Sequence, residues 1–193
     1  IWATYYGGNL DDHTYFVISY DNLAIDDCGN VYMSFETSST NIYTVGSTTC
    51  GQYYDPTHNF GNWDIFIIKF NSVGAAVWAT YFGGDGYDFR EALAIDDAGN
   101  LFVTGEWISV ASNASYPLTN PGASTYFDGT FNGGQHDAYI AKFIPVVPAY
   151  TQSQVNASCS SNCNGSATIS ISCGDPNFSY VWSSGSSTLN VSN

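Results

Sequence analysis

The sequence carries only three basic side chains, Lys69, Arg90 and Lys142, against 17 acidic ones, for a net charge of −14. Nucleic-acid binding requires a basic stripe that displaces counterions. Three dispersed cations cannot form one, so nucleic acid is excluded as a partner, and anionic membrane surfaces are disfavoured for the same reason. Charged residues of all kinds make up 10%, where an ordinary soluble domain has about 25%. No apolar run approaches the roughly 20 residues of a membrane span, so no membrane insertion is expected. Sustained i, i+3, i+4 apolar spacing is also missing, which predicts almost no helix. There is no initiator Met and no signal peptide, and the chain starts at Ile1 directly before a motif. It is therefore expected to be a piece of a longer protein. Cys-x-x-Cys pairs and zinc-finger Cys/His spacings are absent, so Cys28, Cys50, Cys159, Cys163 and Cys173 read as disulfide candidates of an oxidising compartment rather than metal ligands. Cys159–Cys173 is the favoured pairing and Cys28–Cys50 a second candidate; an odd count leaves one thiol over.

What is present is aromatic and β-forming: 17% aromatics, 15 Tyr and 19 Gly favour strands and tight turns. The strongest signal is internal repetition. Trp2-Ala3-Thr4-Tyr5-Tyr6-Gly7-Gly8 returns as Trp78-Ala79-Thr80-Tyr81-Phe82-Gly83-Gly84, offset by 76. Leu23–Tyr32, with Ile25-Asp26-Asp27-Cys28-Gly29-Asn30 at its centre, returns as Leu93–Phe102, offset by 70. Asp64-Ile65-Phe66-Ile67-Ile68-Lys69-Phe70 returns as Asp137–Phe143, offset by 73. The offsets drift because loop lengths differ between matched strands.

Each copy yields four strand candidates. Leu23–Asp26 and Val31–Phe35 are joined by Asp27-Cys28-Gly29-Asn30, and Leu93–Asp96 and Leu101–Gly105 by Asp97-Ala98-Gly99-Asn100, where Asp, Asn and Gly supply turn hydrogen bonds and positive φ. The third strand is Ile65–Phe70 or Ala138–Phe143. The fourth is Ala76–Tyr81, reached through Asn71-Ser72-Val73-Gly74. Ile65–Phe70 is apolar on both faces, so it must lie between packed layers. Four short antiparallel strands in about 75 residues make a propeller-blade unit. The expected fold is all-β: tandem propeller-type blades over 1–143 (copy one about 1–75, copy two about 76–143), a Pro-containing linker over 144–150, and an incomplete sandwich-like module over 151–193.

The W-A-T-Y-[YF]-G-G, I-D-D-x-G-N-[VL]-[YF] and D-x-[FY]-I-x-K-F blocks resemble the bacterial β-propeller repeat called SBBP, over about residues 1–143. Copy one departs from the pattern, with Met33-Ser34-Phe35 where Val-Thr-Gly is expected. Cys163-Asn164-Gly165-Ser166-Ala167-Thr168 followed by Tyr180-Val181-Trp182-Ser183-Ser184-Gly185 resembles the SprB repeat of Bacteroidota surface proteins, over about 155–193. Cys173 stands there in place of the usual Gly. Together the resemblances imply a large extracellular or cell-surface protein, an adhesin or gliding component exported by the type IX pathway.

Candidate chemistry is sparse. His13, His58 and His136 lie in expected loops, outside any catalytic motif, and read as surface or turn histidines. Asp85, Asp88 and Glu91 are the candidate ligands of a divalent cation such as Ca2+, although Asp85-Gly86-Tyr87-Asp88 is not an EF-hand pattern. Asp12 and Asp88 share one repeat position, as do Asp26 and Asp96, which points to a scaffold role. Lys69 and Lys142 also share a repeat position. Each is expected to be partly buried against a repeat aspartate, Asp26/Asp96 or Asp12/Asp88. Trp63, Trp107 and Tyr126 are candidate sugar-stacking aromatics. No enzyme motif is found. The expected function is a non-enzymatic extracellular scaffold for adhesion or surface assembly, partnered by further repeats of the same protein or by identical subunits. A filament subunit joined by strand or blade-face contacts and a module binding surface polysaccharide are the alternatives.

Overall fold

A computed structural model describes residues 1–14, 21–48, 51–59, 62–108, 116–122, 125–144, 150–156, 165–171, 181–182 and 190–192. The chain divides into one unit of residues 1–48 and 52–145 and a second of 49–51 and 146–193. Among the described residues all regular elements are strands: β1 (Asp12–His13), β2 (Leu23–Ile25), β3 (Val31–Thr37), β4 (Asp64–Phe70), β5 (Ala76–Phe82), β6 (Tyr87–Ile95), β7 (Leu101–Ile108), β8 (Asp137–Phe143), β9 (Tyr150–Val155), β10 (Ser166–Ile171) and β11 (Asn190–Ser192). Every strand pairing within the three sheets is antiparallel. No helix of the described residues is long and apolar enough to cross a membrane.

The first blade is ordered β1-β3-β4-β5, with β2 pairing β3 beside β1. Its hairpins are set by local chemistry. Asp26 Oδ1 accepts from Cys28 N at 3.0 Å and Asn30 N at 2.9 Å, Gly29 N donates to Asp26 O, and Gly29 has φ 76°. Asp96 repeats this with Ala98 N, Asn100 N and Gly99 at φ 77°. Asn71 does the same between β4 and β5, accepting from Val73 N and Ala75 N ahead of Gly74 at φ 89°. Asp26→Ala is expected to lower stability by about 1 kcal/mol, the net worth of such bonds. Asp26→Asn should cost less, because Asn71 already shows that an amide oxygen suffices for the two backbone bonds, and what is lost is the acceptor for Asn30 Nδ2 and Tyr32 Oη. Urea midpoints of the two variants check this.

The second blade is ordered β6-β7-β8. Its fourth strand, expected by analogy with Ala76–Tyr81, is missing among the described residues. β5 completes blade one, and no third W-A-T-Y block follows Phe143. β6 is longer than expected because it merges the lanes that β1 and β2 fill separately, with a register shift between Phe89 and Ala92.

Two apolar clusters result. Phe35, Phe66, Ile68, Phe70, Ala79 and Tyr81 bury one face of blade one, with Tyr6 packed against them. Ile65, Ile67, Trp78 and Phe82 on the other face pack on Leu93, Leu101 and Val103 of blade two, joined by Tyr139, Ala141 and Phe143. Residues Ile65–Ile68 are each 0% exposed, as a strand apolar on both faces requires. The far face of blade two is open instead: Ile140, the repeat counterpart of Ile67, is 72% exposed.

The second unit holds a three-stranded sheet ordered β11-β10-β9, in register Thr168↔Ser153 and Ala167↔Val191. β9 begins at Tyr150, inside the stretch expected to be linker. Most of the Cys-Asn-Gly and Tyr-Val-Trp segments lies outside the described residues, as do Cys50, Cys159, Cys163 and Cys173. Cys28 is an exposed free thiol.

Candidate functional site

The junction between the two blades brings together four buried acids. Asp64 ends the loop before β4, and Asp88 enters β6 just after the Gly83-Gly84 turn; both are 0% exposed. Asp88 Oδ2 accepts from Gly84 N at 3.1 Å, and Asp64 Oδ2 accepts from Asn59 N at 2.6 Å. Burial, reinforced by Asp64, holds the Asp88 carboxyl well above the usual carboxylate range. Burial raises Asp64 to about 6, against the opposing pull of Asn59 and His58. On β3 and β6, Glu36 and Glu91 are each 1% exposed. Asn22 Nδ2 donates to Glu91 Oε1 at 2.8 Å, and burial together with the neighbouring Glu36 lifts Glu91 to about 8. This junction thus holds one aspartate pair and one glutamate pair, in which burial first and the like charge of the neighbouring carboxyl second favour the protonated form of Asp88 and Glu91.

Glycine makes the aspartate pair sterically possible. A Cβ on Gly83 would stand 2.4 Å from Asp88 Oδ2 and 3.2 Å from Asp64 Cγ. Gly83→Ala is therefore expected to cost about 1–3 kcal/mol of overpacking. Gly7→Ala, whose Cβ would meet the Asp12 carboxylate at 2.5 Å, should cost less because Gly7 and its neighbours lie in an exposed segment that can shift away from it. Thermal melts of the two variants check the contrast.

The junction geometry is used twice. Trp78 and Phe82 pack on Phe143 at 5.6 and 5.2 Å, and Phe82 on Tyr139 at 5.8 Å. Trp2 and Tyr6 pack on Phe70 at 5.5 and 5.8 Å, and Tyr6 on Phe66 at 5.9 Å. These are the same contacts one repeat earlier. Gly8 N donates to Asp12 Oδ2 at 2.7 Å as Gly84 N does to Asp88. The Trp2–Gly8 segment therefore lies against blade one as β5 lies against blade two, although it belongs to no strand.

The expected site residues divide. Asp12 organises the Gly-Gly turn, accepting also from Thr37 and Ser39 side chains, and Asp26 and Asp96 organise hairpins. Lys69 Nζ lies 5.4 Å from the Tyr32 ring centroid and Lys142 Nζ 5.4 Å from that of Phe102, so both lysines make a matched cation–π contact. Asp96 is held below the usual range by Asn100 first, then by Ala98 and the charge of Lys142. Asp85 is half-buried beside Asp88 and adds to its raised pKa. Among the described residues no three His, Cys, Asp or Glu side chains converge as metal ligands, which includes Asp85, Asp88 and Glu91.

Trp107 is buried, packed on Tyr116 at 5.1 Å and Phe131 at 5.3 Å. It offers no face to a sugar, contrary to expectation. The loop following β7 is long enough to fold back over it. Trp63 is partly buried against the His13 ring at 4.6 Å, and Tyr126 is 93% exposed. His58 is not a surface histidine. Its side chain is 6% exposed and its Nδ1 lies 3.8 Å from Asp64 Oδ2. His136 Nδ1 is 3.2 Å from Glu106 Oε2 in a half-exposed pair.

One repeated element was hidden in loops that read as variable. Asp55-Pro56-Thr57-His58-Asn59 and Asp128-Gly129-Thr130-Phe131-Asn132 share the offset of 73 found for β4 and β8. Asp55 Oδ1 accepts from Thr57 N and Oγ1, and Asp128 Oδ1 from Thr130 N and Oγ1. Asn59 N and Asn132 N then donate to Asp64 and Asp137. The constant offset was the available signal. In blade one this loop also seals the outer edge of β5, with Tyr81 N donating to Asp55 O and Ala79 bridging Val45.

The fold and its repeated junction define stacked antiparallel blades of propeller type. Residues 77–106 match the family model of a β-propeller repeat, SBBP. The matched stretch runs from β5 through β6 into β7, so it covers one blade junction. No curated protein and no solved structure is significantly similar to the chain.

Proposed function

We propose that the chain is a blade-forming segment of a large extracellular or cell-surface protein, acting as a non-enzymatic scaffold for adhesion or surface assembly. The observation that carries this reading is the twofold use of one junction, with its acids, glycines and aromatics consumed in packing. Glu36, Asp64, Asp88 and Glu91 are at most 1% exposed, so the acids that would suit general acid–base work are closed to a substrate. The resemblance of the C-terminal module to SprB repeats and the excess of acidic over basic side chains support an outer-surface location, with export by the type IX route of Bacteroidota.

Antibody raised against the purified chain tests the location. Intact source cells should label as strongly as permeabilised ones. Labelling confined to permeabilised cells would overturn the surface reading.

A further inference from the structure

Among the described residues, β6 is the strand of blade two whose backbone comes against blade one, where it lies on β2, β3 and β4. It also carries the two buried acids that blade two brings to the junction, Asp88 and Glu91. We infer that β6 is a proton-operated latch: with both acids protonated it closes the junction, and as they ionise on the alkaline side it parts from blade one while β3, β4 and β5 stay paired.

Main-chain ties and acid pairs alternate along this strand. Asp88 N donates to Trp63 O at 2.9 Å, and Leu93 N donates to Asp21 O at 2.7 Å. Both bonds cross from blade two to blade one, and Glu91 stands between them in the chain. The register shift between Phe89 and Ala92 falls in the same interval. A bulge interrupts the ladder, so β6 is held least by its own sheet beside Glu91.

The groups around the acids are mostly further acids and phenols. Asp64 faces Asp88 from the start of β4, with His58 and Asp55 close to Asp64 in turn. Asp85 adds its charge from the turn before β6, and Tyr116 approaches from the loop after β7. Tyr139 on β8 lies within reach of Asp88, Glu91 and Glu36, and Tyr53 within reach of Asp64 and Asp88. Glu36 on β3 faces Glu91, to which Asn22 and Ser34 supply hydrogen bonds. Glu106, opposite Phe89 on β7, pairs with His136. Lys69 and Lys142 lie over the Tyr32 and Phe102 rings, and the Arg90 side chain lies outside those described.

The aspartates show why the closed form needs a proton. Each has one oxygen held by a main-chain N–H. The other oxygens, Asp64 Oδ1 and Asp88 Oδ1, are buried and accept no directed hydrogen bond among the described residues. A bare buried oxygen tolerates a proton far better than a charge. Both carboxyl carbons lie within 3.2 Å of the point where a Cβ on Gly83 would stand, so a charge on Asp88 faces Asp64 at close range. Ionisation releases the proton to solvent and breaks no other covalent bond. Raised carboxyls favour the closed form fully at low pH, and that contribution is lost as pH rises through the folded values. Asp64 titrates at about 6 and Glu91 at about 8, while burial holds Asp88 well above its ordinary value.

Native-state hydrogen exchange on the full chain, read amide by amide at pH 6 and pH 9 in urea below the unfolding transition, is the test. From pH 6 to pH 9 protection of the Asp88 and Leu93 amides should fall about tenfold or more, since each unit of raised pKa is worth a factor of ten. At pH 9 these amides should be at least about tenfold less protected than those of β4, which is paired on both sides. Their exchange should also depend less on urea, because only part of the chain opens. The Asp88→Asn, Glu91→Gln double variant keeps an oxygen for Gly84 N and for Asn22 Nδ2. Its β6 protection at pH 9 should stay within about threefold of the pH 6 value, the remainder belonging to Asp64. Glu91→Gln alone should remove part of the fall, and it serves where the double variant does not fold. One protection and one urea slope shared by β6 and β4 at pH 9 overturns the latch, since the junction then opens only as the whole chain unfolds. A tenfold fall in β6 that survives both substitutions overturns it as well.

Discussion

Replacing Glu91 with Gln is expected to stabilise the protein above pH 8 by about 5 kcal/mol. The Glu91 carboxyl moves from an ordinary 4.5 to about 8 on folding, chiefly through burial, with Glu36 adding to the shift. A carboxyl raised in the folded state binds its proton more tightly there than in the unfolded chain, so its favourable contribution is complete below pH 4.5 and is lost as pH rises through about 8. At about 1.4 kcal/mol per unit, the full swing is on the order of 5 kcal/mol. Gln cannot ionise, keeps an oxygen for the Asn22 amide and presents an N–H to Glu36. The variant should match wild type near pH 4 and diverge from it steadily towards pH 9. The slope that persists in the variant comes from the remaining buried carboxyls, Asp64, Asp88 and Glu36. Urea midpoints across this range decide the matter, and curves that run parallel would show that the glutamate pair does not store the proton.

Phe82→Ala should be the most damaging single truncation, costing about 3–5 kcal/mol. Phe82 is 2% exposed. Its backbone belongs to blade one, but its ring meets Tyr53, Tyr116, Tyr139 and Phe143 at 5.2–5.8 Å. Removing it empties the middle of the junction and also forfeits several edge-to-face contacts. Tyr6→Ala makes the matched control. Tyr6 holds the same repeat position but, among the described residues, packs its ring on Phe66 and Phe70 and is partly exposed. Its loss should cost less than half as much. Melting temperatures should fall by about 10 °C or more for Phe82→Ala, with blade two becoming the first target of limited proteolysis.

These variants are expected to differ although the sequence presents their positions as equivalents, and that difference marks how much of the molecule was legible beforehand. The strands, their antiparallel order and the Asp-x-x-Gly-Asn hairpins follow from local chemistry. A period of two, a side-chain acceptor and a glycine at positive φ act within a few residues, so a repeat of the letters repeats the structure. The matched positions of Lys69 and Lys142 were likewise visible, as was the two-sided burial of Ile65–Phe70. The D-x-T-x-N loop was visible in principle through its constant offset.

Other features depend on what sits across a junction. Whether Trp107 faces a sugar or a core turns on the loop folded over it. The expectation of a cation at Asp85, Asp88 and Glu91 read nearness along the chain as convergence. In the fold the acids instead answer partners from the neighbouring blade, Asp88 with Asp64 and Glu91 with Glu36. The pKa shifts that follow are long-range effects of burial, which no motif encodes. By itself the sequence determined an all-β chain of repeated blades, because hydrogen bonding and strand periodicity are local. Only the tertiary structure decided that the acids are paired between blades, and that among the described residues one blade has its outer strand and the other does not. Desolvation and edge pairing depend on which residues meet across space, and the same seven-residue block is buried in one setting and exposed in the other.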